Sequence, residues 1–114
     1  MSPRIERTLR KVVELLVRKD YPALEQLTRG GRLNAAEIGS GVDDYGRTLV
    51  LPPPEAFSRV DVVPVRGTTP PAYSIRFRLF TREEGESDLE VQATFIDNPA
   101  SDLMTVELDN ILVA

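Results

Sequence analysis

Asp43-Asp44-Tyr45 is a run in which a carboxylate stands beside a phenol, at a point where helical spacing gives way to strand spacing. If such a junction opens into a cavity, burial would raise a carboxylate's pKa and let it act as a base while Tyr45 donates a hydrogen bond. In open water the same acids would do no more than end a helix. A second constellation lies in SIRFRLFTREEGESDLEVQATF, residues 74–95, with arginines on one side of a turn and acids on the other. Arg76, Arg78 and Phe80 on one strand, with Glu90, Glu107 and Asp109 on its neighbours, would form a charged face carrying an aromatic. That combination is common in protein interfaces, and a polar sheet face is also the ordinary way a sheet meets water. Gly39-Ser40-Gly41 does not follow a strand and lacks the Lys-Ser/Thr of a phosphate loop. EEGESD does not have the ligand spacing of a twelve-residue calcium loop.

The composition removes further chemistry. With no histidine and no cysteine there is no imidazole base, no thiolate nucleophile, no disulfide and no zinc site of the usual kind. No residue is assigned a catalytic or metal-binding role, and no cofactor is expected. Charge is lopsided although the net value is only −4: residues 1–32 carry eight basic and four acidic groups, while residues 83–114 carry nine acids and no Lys or Arg. An acidic end repels nucleic acid and attracts a basic surface, so the expected partner is a basic protein, not a nucleic acid. No apolar run approaches the ~20 residues that cross a bilayer, and MSPRIERTLRK lacks a signal peptide's apolar centre. The expected location is therefore cytoplasmic, away from membranes.

These groups must be positioned by helices first and strands later. Ser2-Pro3 is a helix start, and Ile5, Leu9, Val12, Val13 and Leu16 recur at helical spacing opposite a stripe of Arg4, Arg7, Lys11, Glu14 and Arg18. That stripe would complement the acidic C-terminal strands. Asp20 and Pro22 begin a second helix of about two turns, stopped by Gly30-Gly31. Asn34 with Glu37 makes a capping box for a third, AAEIGSGVDDYG, which Gly46 would end. Its C-terminal acids oppose the helix dipole, for which Arg47 would compensate.

After Gly46 the period becomes two. RTLVL reads as a short strand, PPPEAF as a rigid bend, and SRVDVVPVR as a strand that Pro64 confines to an edge. A loop of Glu83-Glu84-Gly85 would pair Ile75 with Ala93, Phe77 with Val91 and Leu79 with Leu89 inside. Arg78 would then face Glu90, and Arg82 would face Glu86, outside. Asn98-Pro99-Ala100-Ser101 predicts a type I turn. In the last strand Met104, Val106, Leu108 and Leu112 would point inward, with Thr105, Glu107 and Asp109 outward next to Glu90 and Gln92. The expected architecture is a single α+β domain, residues 1–114, with about three N-terminal helices packed on one face of a curved antiparallel meander of four to five strands.

The segment DYPALEQLTRGGRLNAAEIGSGVDDYGRTLVLPPPEAF, together with FTREEGESDLEV, resembles a group of small uncharacterised bacterial proteins. More loosely, helices followed by a curved meander look like the cystatin-like and NTF2-like class, and the small acidic character is similar to immunity proteins. The NTF2-like comparison implies a cone pocket near Asp43, Asp44 and Tyr45 for an isomerase, lyase or small-molecule binder, although the histidine common in such enzymes is missing here. The immunity-like comparison implies a noncatalytic protein that docks a basic partner through Arg76, Arg78, Phe80, Glu90, Glu107 and Asp109. The open sheet face would equally allow a homodimer.

Overall fold

The computed structural model describes residues 2–29 and 31–114. Three helices come first: α1 (Pro3–Val17), α2 (Tyr21–Thr28) and α3 (Ala35–Asp43). Each starts where a side chain satisfies otherwise unpaired N–H groups, from Ser2, Asp20 and Asn34 respectively. At Asn34 the capping box is complete, with Glu37 accepting from the Asn34 N–H at 3.0 Å and Asn34 accepting from the Glu37 N–H at 2.8 Å. α2 ends at Arg29, which takes the left-handed conformation that a glycine was expected to supply; Gly30 lies outside the described residues.

Five strands follow: β1 (Leu49–Val50), β2 (Asp61–Val65), β3 (Ala72–Thr81), β4 (Gly85–Ile96) and β5 (Thr105–Val113), with a 3-10 turn over Pro54–Arg59. All pairings are antiparallel, in the order β1-β3-β4-β5. β2 shares with β1 the edge of β3 opposite β4. Pro64 thus sits on an edge strand, as its missing donor requires. RTLVL, expected to be a short strand, keeps strand pairing only at Leu49–Val50 because PPP turns the chain away.

One face of the sheet is covered. Ile75, Phe77, Leu79, Val91, Phe95, Val106 and Leu108 join Leu9, Val12, Leu16, Leu24 and Ile38 in the core, each 4% exposed or less. α1 is tied to this layer by a buried hydrogen bond from the Met104 N–H to Thr8 Oγ1, 2.9 Å, while that hydroxyl donates to the Arg4 carbonyl at 2.7 Å. α3 lies so close to β5 that a Cβ on Gly41 would come within 3.1 Å of Ile111, which is why glycine stands in the helix there.

The hairpin register holds at its base and changes at its tip. Ile75 faces Ala93, Phe77 faces Val91 and Arg78 faces Glu90, but Phe80 faces Glu86 and Thr81 faces Gly85. Between these pairs Leu79 alone opposes Ser87, Asp88 and Leu89, so the expected Leu79–Leu89 and Arg82–Glu86 pairs are absent. The cause is local: buried Ser87 donates to the Leu79 carbonyl at 2.6 Å and accepts from the Leu89 N–H at 3.1 Å, which satisfies the bulged backbone through its side chain. The loop becomes Arg82–Glu84, and Gly85 keeps the left-handed φ, +76°.

A second bulge corrects the last strand. Ala93 faces Leu108 while Gln92 faces Asn110, leaving Asp109 unpaired in the ladder. Past it the alternation inverts. Ile111 turns toward α3, and Leu112, expected inside, is 37% exposed. The β4–β5 register sets Thr105 and Glu107 opposite Ile96 and Thr94, not beside Glu90 and Gln92. Among the described residues no helix is long and apolar enough to cross a membrane.

Candidate functional site

The helices leave the opposite face of the sheet bare, and on it the chain sets arginines against acids. Strand pairing places Arg76 opposite Gln92 and Arg78 opposite Glu90. The ion pairs run diagonally to those positions: Arg76 Nε donates to Glu90 Oε1 at 2.8 Å, and Arg78 reaches Asp88 at 3.5 Å. Glu90 also accepts from Gln92 Nε2 at 2.9 Å on the same oxygen.

Glu90 was expected to project into solvent, yet it is only 6% exposed. Arg76 and Gln92 close over it on the outer side of the sheet, and Leu112 stands across from it on β5, so it is sheltered without entering the apolar core. Burial alone would raise its pKa, but hydrogen bonds from Gln92 and Arg76 and the charges of Arg76 and Arg78 outweigh burial and hold it below the ordinary glutamate value.

Glu107 and Asp109 form a separate group. Arg32, from the α2–α3 connection, reaches around the β5 edge to Asp109 Oδ1 at 2.9 Å and Glu107 Oε2 at 3.7 Å, one guanidinium serving two carboxylates. Asp109 Oδ2 accepts from Thr94 Oγ1 at 2.9 Å, whereas Oδ1 is buried and, among the described residues, without an aligned hydrogen bond. Beside this group lies a recess of about 490 Å³ with an apolar floor of Val65, Pro70, Ala72 and Ile96. Phe80 belongs to neither group. It was expected on the exposed face, but it is half-buried and packed against the core beside β1, so only part of its ring meets solvent.

The Asp43-Asp44-Tyr45 run lies beside the hairpin tip and the C-terminal end of β5. Tyr45 donates its proton to Glu84, with oxygen distances of 2.8 and 2.9 Å to the two carboxylate oxygens, and burial together with that bond raises its pKa. Glu84 also accepts from Thr81, and neighbouring Glu83 accepts from the Thr48 N–H and hydroxyl, so the hairpin tip is pinned to the β1 end of the sheet. Asp43 pairs with Lys19 at 3.6 Å and accepts from Tyr21 at 3.3 Å. Lys19 therefore supplies the compensation expected of Arg47, which only approaches the Gly46 carbonyl. Burial first, then repulsion by and hydrogen bonding to Asp43, push the Tyr21 phenol up to about 12. Asp44 is exposed and borders an open recess of about 320 Å³ with Tyr45, Leu89, Ile111 and Val113. The concave side of the sheet is filled by side chains of α1, α2 and α3.

Arg32, Arg59 and Asp61 also reach the bare face without having been expected there, and Glu86, expected outside opposite Arg82, meets Arg59 instead. Arg32 and Arg59 sit in connections, where no periodicity says which way a side chain turns. In the charged stripe of α1 both Lys11 and Arg18 pair with Glu14, and beside it Arg10 pairs with Glu6, while Arg4 reaches Asp97 and so ties the helix start to the acidic C-terminal part. Among the described residues no group of three or more carboxylates is placed to hold a metal ion.

Residues 13–114 match the family described as "Domain of unknown function (DUF7668)", and the chain belongs to that family. No curated protein and no solved structure matches it.

Proposed function

We propose that this member of the DUF7668 family is a noncatalytic binding domain that docks a basic protein on the bare face of its sheet. The observation that carries the reading is the one-sided covering of the sheet. The uncovered side bears the carboxylates of Asp61, Glu86, Asp88, Glu90, Glu107 and Asp109 against the guanidinia of Arg32, Arg59, Arg76 and Arg78, an excess of two negative charges. The recess between Val65, Ile96 and Glu107 supplies an apolar socket next to surplus negative charge, suited to a partner that presents an aliphatic side chain beside a lysine or arginine. The finer form of this reading is an immunity or inhibitor-type protein, in which the docked partner is an enzyme whose basic surface is occluded.

The test is affinity capture from the native host with wild-type protein and with the double charge reversal Asp88→Lys/Glu107→Lys, both exposed enough to tolerate the change. A basic protein held by the wild type at low salt should be lost with the reversed variant. Equal retention of that protein by both would remove the reading.

A further inference from the structure

Between β1 and β2 the edge of β3 has no strand partner over Phe77, Arg78 and Leu79. The 3-10 turn fills that gap from the core side, where Phe57 stacks on Phe77 with ring centroids 5.3 Å apart. Toward solvent the gap opens as a recess of about 300 Å³, at whose base lie the nearly fully buried Ala56 and Phe77. Its polar wall is made of Arg59, Arg76, Arg78, Asp61, Glu86 and Glu90, three cations and three anions drawn from the 3-10 turn, β2, β3 and β4.

These groups are not equally committed. Glu90 Oε1 takes both bonds, from Arg76 and Gln92, and among the described residues no donor is bonded to Oε2. Arg59 and Arg78 make only long contacts of 3.5 Å, to Glu86 and Asp88, and all four side chains are about half exposed or more. Exposed pairs of this kind contribute about 0–1 kcal/mol, so exchanging them for a ligand costs little. A lone anion in the recess would meet Glu90 and Asp61, and a lone cation would meet three arginines. A ligand bearing both charges can engage both sets at once.

We infer that this recess binds a small zwitterion of the α-amino-acid type, its ammonium donating to Glu90 and its carboxylate taking hydrogen bonds from Arg59 and Arg78. Glu90 suits the role because Arg76 and Gln92 hold it fixed and ionised, and a planar guanidinium can grip a carboxylate through two parallel bonds. The volume accommodates a free amino acid with a short side chain. The site goes beyond the docking of a protein partner and does not depend on it.

The experiment is a heteronuclear NMR titration of the full chain with L-alanine, with acetate and methylammonium as single-charge probes at the same concentrations. The expected result is saturable movement of the Phe77, Arg78 and Glu90 amide signals with L-alanine and none with either single-charge probe. Arg59→Gln, at a side chain 54% exposed and therefore safe for the fold, should weaken binding about tenfold through loss of one charged hydrogen bond, and Glu90→Gln should abolish it. Saturation with acetate alone or methylammonium alone, an absence of saturable shifts, shifts that map elsewhere, or an Arg59→Gln variant that binds as tightly as wild type would each overturn the assignment. If Glu90→Gln does not fold, Arg59→Gln decides.

Discussion

Glu90 is the residue on which sequence and structure differ most usefully. Alternation along β4 places it correctly on the outer face, but alternation says nothing about what lies over a side chain once it is there. Its shelter comes from a diagonal arginine and a glutamine two residues away on its own strand, both in contact with one oxygen. The lowered pKa means that the folded state favours the carboxylate. Its contribution to stability is therefore present above the unfolded value near 4.3 and is lost as pH falls through the native value. Glu90→Gln is expected to be less stable than wild type at pH 7, because each of two hydrogen bonds weakens by about 1 kcal/mol when the acceptor loses its charge. Urea unfolding over a pH series would show this gap closing toward pH 3. A gap that stays constant would mean that the fold does not lower the Glu90 pKa.

At the scale of elements, one buried hydroxyl ties the helical layer to the chain entering the last strand. Thr8 lies in the first half of α1 and Met104 just precedes β5, so their bond joins the two ends of the chain. Thr8→Val keeps the volume and leaves the buried Met104 N–H without a partner, which should cost about 1–3 kcal/mol. Thr8→Ser, which retains the oxygen, should cost much less. Chemical denaturation of the two variants checks the order, and equal losses would mean that packing, not the hydrogen bond, matters at this position. Helix starts were legible because Ser2-Pro3, Asp20 and Asn34 with Glu37 are signals complete within four residues. The two bulges were not legible. Ser87 and Asp109 read as ordinary outer or turn residues until a neighbouring strand gives their side chains backbone or cross-strand groups to bond.

For the whole molecule, charge separation along the chain is largely undone by folding. Arg4 meets Asp97, Lys19 meets Asp43 and Arg32 meets Glu107 and Asp109, so basic residues of the first 32 positions neutralise acids far away in sequence. Lys19–Asp43 is exposed on both sides and the other pairs are partly exposed, and pairs reached by solvent contribute about 0–1 kcal/mol each. Stability should then rest on the one core, and raising salt to about 1 M should move the thermal midpoint by less than about 4 °C in a single transition. Thermal circular dichroism at low and high salt tests this. A large salt-dependent drop would place more of the stability in the ion pairs than their exposure allows.

By itself the amino-acid order determined the class of fold, the helix starts, the position of the hairpin and which residues form the core layer. Capping, turn chemistry and side-chain periodicity act over a few neighbouring positions, so a linear reading captures them. Tertiary structure alone decided that Glu90 is sheltered, that Phe80 leans into the core, that Arg32 and Arg59 join the charged face, and that the gap between β1 and β2 becomes a recess of mixed charge. Each of those outcomes depends on which distant backbone or side chain arrives alongside, and two bulges shift that alignment by whole residues in a way that no local pattern specifies.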